Sequence, residues 1–344
     1  MGYVQLNPTG VGIANSKAAL KALVATGVTV AVLLMEGQTG MFGRVDGDYS
    51  AYVTADTTEA IYMAIDGVAT TTAAIQRQYD QRANVKWFAD AGTDLAMLQA
   101  ATDLVDSVWV PNGDYNVGTG TSWLLDDNAV VEFESLNARV ISTWTSPTGW
   151  IIKARGGSSY RNFFIRIISG AIIGPTAGGG VNGIDFLSTS YARIEGTFIN
   201  KCNDGVRFGG SGSLGAFYNV ARDFIMTDIG VGIRCNTLGN ENRFGPGRIG
   251  SCVVGTDDND GTCNTYDQIA IEGFTTTAHR VCNGGVTSQR VRYIFPRLEN
   301  SGGVGASIII SAAAESTVVI GEFFTGTASG VTDSGTGTDH LAAY

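Results

Sequence analysis

Gly183-Ile-Asp-Phe186, Gly205-Val-Arg-Phe208 and Gly232-Ile-Arg-Cys235 write one pattern three times, at intervals of 22 and 27 residues. Apolar, polar, apolar after a glycine is the alternation of a short strand with one buried side. Ile184, Phe186, Val206, Phe208, Ile233 and Cys235 are therefore predicted to point inward. Asp185, Arg207 and Arg234 are left as an outward stack on successive coils. A second series opens a short strand with a polar residue at Asn162, Arg193, Arg222, Arg243, Gln268, Arg290 and Ser316. These intervals suit a three-sided parallel solenoid, in which no coil buries its apolar side alone and stacking supplies the stability. An antiparallel β-sandwich has the same short strands and Gly-rich turns, and is the alternative that this pattern leaves.

Composition agrees with many tight turns. Gly accounts for 47 of 344 residues and Pro for only 6, without the strict period of collagen. The net charge of -10 and the scattered Lys and Arg argue against nucleic acid, whose phosphates need concentrated positive charge. Residues 24–35 are apolar but too short to span a bilayer, so no membrane insertion is expected. No basic region followed by an apolar run opens the chain, so work outside a cell would require another route of release, such as lysis. Five cysteines and two histidines, with no Cys-x-x-Cys pair, make a structural zinc site improbable. Cys202, Cys235 and Cys282 read as small interior fillers, and Cys252 with Cys263 as the one pair able to bridge.

Ahead of the repeats, Ser16 is placed to cap a helix over 17–25, and 28–34 alternates as a strand. Residues 41–53 read as strand, turn, strand, and 58–81 as a connector or short helices. VKWF (85–88) reads as a strand, and Asp94 as the cap of a helix running to about 105. VWV (108–110) and YNV (115–117) read as strands around the turn PNGD (111–114). A lone helix at that point would cover the open end of a solenoid and keep its edges from pairing with other chains.

These segments, VKWF (85–88), DAGTD (90–94), LQAA (98–101) and VWVPNGDY (108–115), resemble the N-terminal cap and first coil of the pectate-lyase-like parallel β-helix family. The likeness is to bacteriophage tailspikes and tail fibres in particular, although the 90–94 loop is shorter than the family's. The N-terminal ALKAL and the turn and strand of 37–53 resemble a module set ahead of such helices in phage proteins. The expected fold is thus an all-β solenoid, a single-stranded right-handed parallel β-helix with a small mixed α/β N-terminal region and a capping helix. Its expected parts are an attachment or connector region at 1–83, the cap and first coil at 84–122, and the β-helix with a short tail at 123–344.

The resemblance implies a homotrimer in the virion tail, in contact with other tail or baseplate proteins and free outside the host after lysis. It implies attachment to a host cell-surface polysaccharide, with two alternatives: a depolymerase (hydrolase or lyase) and a purely structural virion protein. Glycoside hydrolysis needs two carboxylates across the scissile bond, and coils about 4.8 Å apart can supply them. With Ile194, Phe224 and Ile271 inward, the outward acids are Glu195, Asp223 and Glu272, with Asp228 and Asp204 in nearby turns and Glu241 in a loop. Glu195 with Asp223 is the preferred acid and base, and Glu272 and Asp228 are the other catalytic candidates. Arg193, Arg207, Arg222 and Arg234 are the candidate ligand-binding residues, since paired hydrogen bonds from Arg suit carboxylates. They serve equally well as cross-coil ion pairs. Tyr160, Tyr191, Tyr218, Tyr266 and Tyr293 recur near coil starts and would offer faces to sugars or pack between subunits. No cofactor is expected, with calcium at the oxygen-rich 257–260 loop as the one possible ion.

Overall fold

The computed structural model describes residues 5–6, 11–80, 82–155, 162–176, 180–210, 214–282, 288–300, 306–321, 323–326 and 329–341. They form two compact units, Met1–Pro111 and Asn112–Tyr344.

The second unit is a right-handed parallel β-solenoid of three faces. The first face stacks Val130–Phe133, Arg166–Ile168, Arg193–Glu195, Val220–Arg222, Arg243–Phe244, Thr265–Asp267, Arg292–Ile294, Val318–Ile320 and Asp339–Leu341. The second begins at Gly113–Gly118 and Ala138–Ser142, and the third at Trp123–Leu125 and Trp150–Ala154. The long strands Phe224–Asn236 and Gly247–Asp258 run from the second face onto the third.

The repeat read from the sequence is the register of the third face. Ile184 pairs with Val206 and Phe186 with Phe208, then Val206 with Ile233 and Phe208 with Cys235. All six predicted inward side chains are fully buried. The glycine that opens each repeat has a steric reason. A Cβ at Gly183 would lie 2.4 Å from the Gly205 carbonyl oxygen, and one at Gly205 would lie 2.6 Å from that of Gly232. An aromatic spine fills the interior, with ring centroids 5.5 Å apart for Phe186–Phe208, 5.1 Å for Phe208–Phe244, and 4.9 Å for both Phe244–Tyr266 and Tyr266–Tyr293. Each such pair adds about 0.5–1.5 kcal/mol beyond burial. Asn219, Asn242 and Asn264 form a buried ladder, each accepting the backbone N–H of the coil before it at 2.8–3.0 Å.

The expected C-terminal tail is a further coil: Ser329–Asp333 and Asp339–Leu341 pair in parallel with Ala306–Ile310 and Val318–Ile320. Strand pairing satisfies its backbone although its composition is that of a loop.

The first unit is a mixed sheet of six strands with the helix Lys17–Ala25 packed on it through Leu20, Leu23 and Val24. Ser16 caps that helix as expected, accepting from the Ala19 amide at 3.1 Å. Four local readings are corrected. Residues 50–55 are a helix, entered by a turn in which the Asp48 carboxylate accepts the Ser50 amide at 3.0 Å. Ala73–Gln78 is a strand paired antiparallel to Gly40–Asp46. Val85–Ala91 is a 3-10 helix capped by Asn84, and the following helix, Asp94–Leu104, is capped by Thr93 with Asp94 in its first turn. Arg77 is buried in this unit, donating to the carbonyls of Ala60, Gln38 and Thr39 at 2.7, 2.8 and 3.1 Å, with Phe42 and Trp87 against its guanidinium. Burial lowers its pKa to about 10.

Candidate functional site

One corner of the solenoid is built from residues in the left-handed backbone region. Phe164, Tyr191, Tyr218, Glu241, Cys263, Arg290 and Ser316 have φ between 54° and 60°. L-residues adopt this conformation at a cost, offset here because each amide donates to a carbonyl of the next coil, as Tyr191 does to Phe217 at 3.0 Å and Glu241 to Thr262 at 2.8 Å. The column's side chains consequently share one edge. Phe164 stacks on Tyr191 at 5.2 Å and 19°, and Tyr191 on Tyr218 at 5.3 Å and 17°, all three exposed.

This geometry limits what the rings can bind. Both faces of Tyr191 are occupied by its neighbours, so a sugar can stack only at an end of the ladder. At the Tyr218 end the ladder opens into a groove of about 400 Å³, lined also by Glu241, Arg243, Cys263, Thr265 and Arg292. The Tyr218 hydroxyl is hydrogen-bonded to the Glu241 carboxylate, which raises its pKa above the usual phenol value. Of the other expected tyrosines, Tyr266 and Tyr293 are buried in the core, and Tyr160 lies outside the described residues.

The remaining candidates fall into three groups. Arg193, Glu195, Arg222 and Asp223 lie together at one side of the first face. Arg222 reaches Glu195 at 3.1 Å and Asp223 at 3.9 Å, and Arg193 reaches Glu195 at 4.0 Å. The expected acid and base therefore each face a guanidinium.

The second group is on the second face. Glu272 accepts from Arg248 at 2.7 and 3.1 Å and pairs in register with Glu299 on the next coil. Both line a groove of about 380 Å³ beside the exposed Ile225. Asp228 lines the adjoining groove, and Ser251 and Gly273 line both. Glu299 escaped the sequence reading, although Ala270-Ile271-Glu272 and Arg297-Leu298-Glu299 share one alternation. Arg292 was missed as well, being separated from Arg243 by a coil that carries Thr265 at the same position.

The third group is the expected stack, with Asp185, Arg207 and Arg234 in register, but covered at Asp185. Asp185 is fully buried, and Arg207 holds it at 2.9 and 2.7 Å with Trp150 against the guanidinium. Arg234 grips Asp204 at 2.8 and 2.9 Å and Asp257 at 2.9 Å, and Arg280 also grips Asp257. Arg207 and Arg234 thus have their hydrogen bonds committed to cross-coil pairs. The 257–260 loop is no calcium cage: Asp257 faces these arginines, while its neighbour Asp258 points into the core. Among the described residues no group of three or more His, Cys, Asp or Glu is arranged around a metal position. All five cysteines are free thiols, with Cys252 buried and Cys263 at the corner, so the one pair read as able to bridge stays apart.

The interior turns polar where the phenylalanines end. Asp258 accepts from Gly261, Ser288, Asn264 and Tyr266 at 2.9–3.2 Å, and burial still pushes its pKa up to about 6. His279 lies in the column of Ile233 and Ile308, with Nδ1 2.7 Å from the Thr256 hydroxyl; burial lowers its pKa to about 3.

No protein-family model matches the sequence, and no curated protein matches it. Solved structures do match by fold. The enzymatically active domain of tailspike protein 2 of bacteriophage CBA120 is 14% identical, with a TM-score of 0.57 over 91% of this chain and 49% of that one. The tailspike of Acinetobacter baumannii phage AM24 is 13% identical, with a TM-score of 0.61 over 91% and 62%. The tailspike of Acinetobacter baumannii bacteriophage Fri1, a capsular polysaccharide depolymerase, is 10% identical, with a TM-score of 0.63 over 95% and 69%. The chain spans only about half to two-thirds of those structures, and at these identities what it shares with them is the parallel β-helix fold.

Proposed function

We propose that this chain is a bacteriophage tail protein that attaches the virion to a host cell-surface polysaccharide, and that the groove beside Tyr218 is the binding site. The observation that carries this reading is the ladder Phe164–Tyr191–Tyr218, whose one groove-facing ring face meets Glu241, Arg243 and Arg292. Exposed, pre-ordered rings beside hydrogen-bonding side chains are costly to keep on a surface unless they serve recognition. The fold likeness to phage tailspikes fits the same role, and the proposal includes a homotrimeric assembly docked to other tail or baseplate proteins. Binding of the purified protein to polysaccharides from a panel of bacterial surfaces tests the reading; it requires at least one polymer to bind.

A second reading, a depolymerase, is favoured by Glu272 and Glu299. Their strands pair in register on adjacent coils, about 4.8 Å apart, near the separation of about 5–5.5 Å that retaining hydrolysis uses. Release of reducing ends, abolished in Glu272→Gln and Glu299→Gln, would establish it. Unsaturated uronate among the products would indicate a lyase instead. Intact polymer in the presence of bound, folded protein would leave attachment without cleavage.

A further inference from the structure

Two arginines of the first face, Arg243 and Arg292, differ from most others in the solenoid. Arg139, Arg155, Arg207, Arg222, Arg234, Arg248, Arg280 and Arg297 each have a carboxylate partner within 3.2 Å. Arg243 and Arg292 are exposed and form no ion pair among the described residues, and Arg193 reaches Glu195 only at 4.0 Å. The strand register places these three in one column: Arg193 pairs with Val220, Val220 with Arg243, Arg243 with Thr265, and Thr265 with Arg292.

Arg193, Arg243 and Arg292 thus stand two coils apart, an interval of about 10 Å from the spacing of parallel strands, with Arg166 beside Arg193 on the coil before it. That interval is close to the length of two linked hexoses in an extended chain. The guanidinium groups of Arg243 and Arg292, without an ion pair among the described residues in a chain of net charge -10, are a local exception to the protein's electrostatics. A polyanion is repelled by the net charge of the molecule and attracted locally along this line.

We infer that the Tyr218 groove takes an anionic polysaccharide lying along the solenoid axis, with acidic groups clamped by Arg193, Arg243 and Arg292. The inference rests on the reading of the groove as a glycan site and adds the chemical class of the glycan. Uronate carboxylates and sulfate esters both offer the paired oxygens that guanidinium groups recognise.

The test is equilibrium binding of the whole chain to polygalacturonate, dextran sulfate and neutral dextran, at low and at physiological salt. The expected result is salt-sensitive binding of polyanion and none of dextran. Preference between the two polyanions distinguishes carboxylate from sulfate. Arg243→Ala/Arg292→Ala should lose at least about tenfold in affinity, while Arg139→Ala on the second face loses nothing. An unchanged unfolding midpoint in the double variant confirms that its fold is retained. Undiminished binding by the double variant, equal binding of dextran, or no binding of either polyanion overturns the inference. If a neutral surface polysaccharide binds instead and Tyr218→Ala loses it, the glycan site stands and its anionic specificity falls. If no polysaccharide of any kind binds, both fall.

Discussion

Asp185 is wholly buried, and the Arg207 guanidinium grips both its oxygens, at 2.9 and 2.7 Å, from the next coil. The alternation of the third face puts the two side chains on the same side, but the burial of Asp185 makes the pair part of the scaffold. A buried carboxylate left without its partner is an uncompensated charge. Arg207→Ala should therefore lower unfolding free energy by ~3 kcal/mol in denaturant titration. Glycan binding by the folded fraction should be unchanged, which separates Arg207 from Arg243 and Arg292.

The buried His279 makes the solenoid acid-sensitive. Its pKa falls from 6.5 in an open chain to about 3 when folded. The unfolded chain thus takes up a proton that the folded one refuses, and the stability His279 contributes above pH 6.5 is lost as pH falls toward 3. The full effect is at most ~5 kcal/mol. His279→Leu should flatten the fall in stability over that window, measured by denaturant unfolding at a series of pH values.

Asp258 acts with the opposite sign. Its pKa rises from 3.8 to about 6 on folding, so its contribution is complete below 3.8 and lost as pH rises through 6. Asp258→Asn should remove a decline of at most ~3 kcal/mol between those values. Unfolding midpoints of wild type and variant that stay parallel from pH 4 to pH 7 would contradict this account of the core.

Thiol reactivity reports the packing. Burial pushes the Cys202 and Cys252 thiols up to about 12, and Cys235 and Cys282 are likewise buried and raised. Only the half-buried Cys263 lies in the corner groove. One equivalent of a thiol reagent should react in the native protein, blocked by Cys263→Ser, with the other four reacting after unfolding.

The two tyrosines of the ladder should differ in effect. Tyr218→Ala removes the ring face that meets the groove and should weaken glycan binding several-fold, about 1 kcal/mol. Tyr191→Ala removes only the ring beneath it and should cost less. Equal losses would mean that the ladder edge, and not its end, contacts the ligand.

Much of the fold was legible because a solenoid repeats its physics. Ile184, Val206 and Ile233 occupy one register position, and the local alternation revealed it without tertiary information. The polar series from Asn162 to Ser316 was less uniform: it mixes first-face residues such as Arg193 and Arg243 with corner residues such as Arg290 and Ser316. Local alternation gives the side of a strand but not what covers that side, so Asp185 and Arg207 read as a surface. The ladder's stacking was also hidden, because Tyr191 and Tyr218 meet through backbone conformations that only the coil-to-coil hydrogen bonds explain. In the first unit, Asn84 redirected the backbone by side-chain capping, which overrode strand propensity in the segment it begins.

The central claim is that the groove at Tyr218 holds the glycan. Its most direct test is a crystal structure with an oligosaccharide of whichever surface polymer the protein binds. The account predicts a sugar ring stacked on the outer face of Tyr218 and an acidic group between Arg243 and Arg292. Ordered sugar on the second face beside Glu272 and Glu299, with the Tyr218 groove empty, would contradict it.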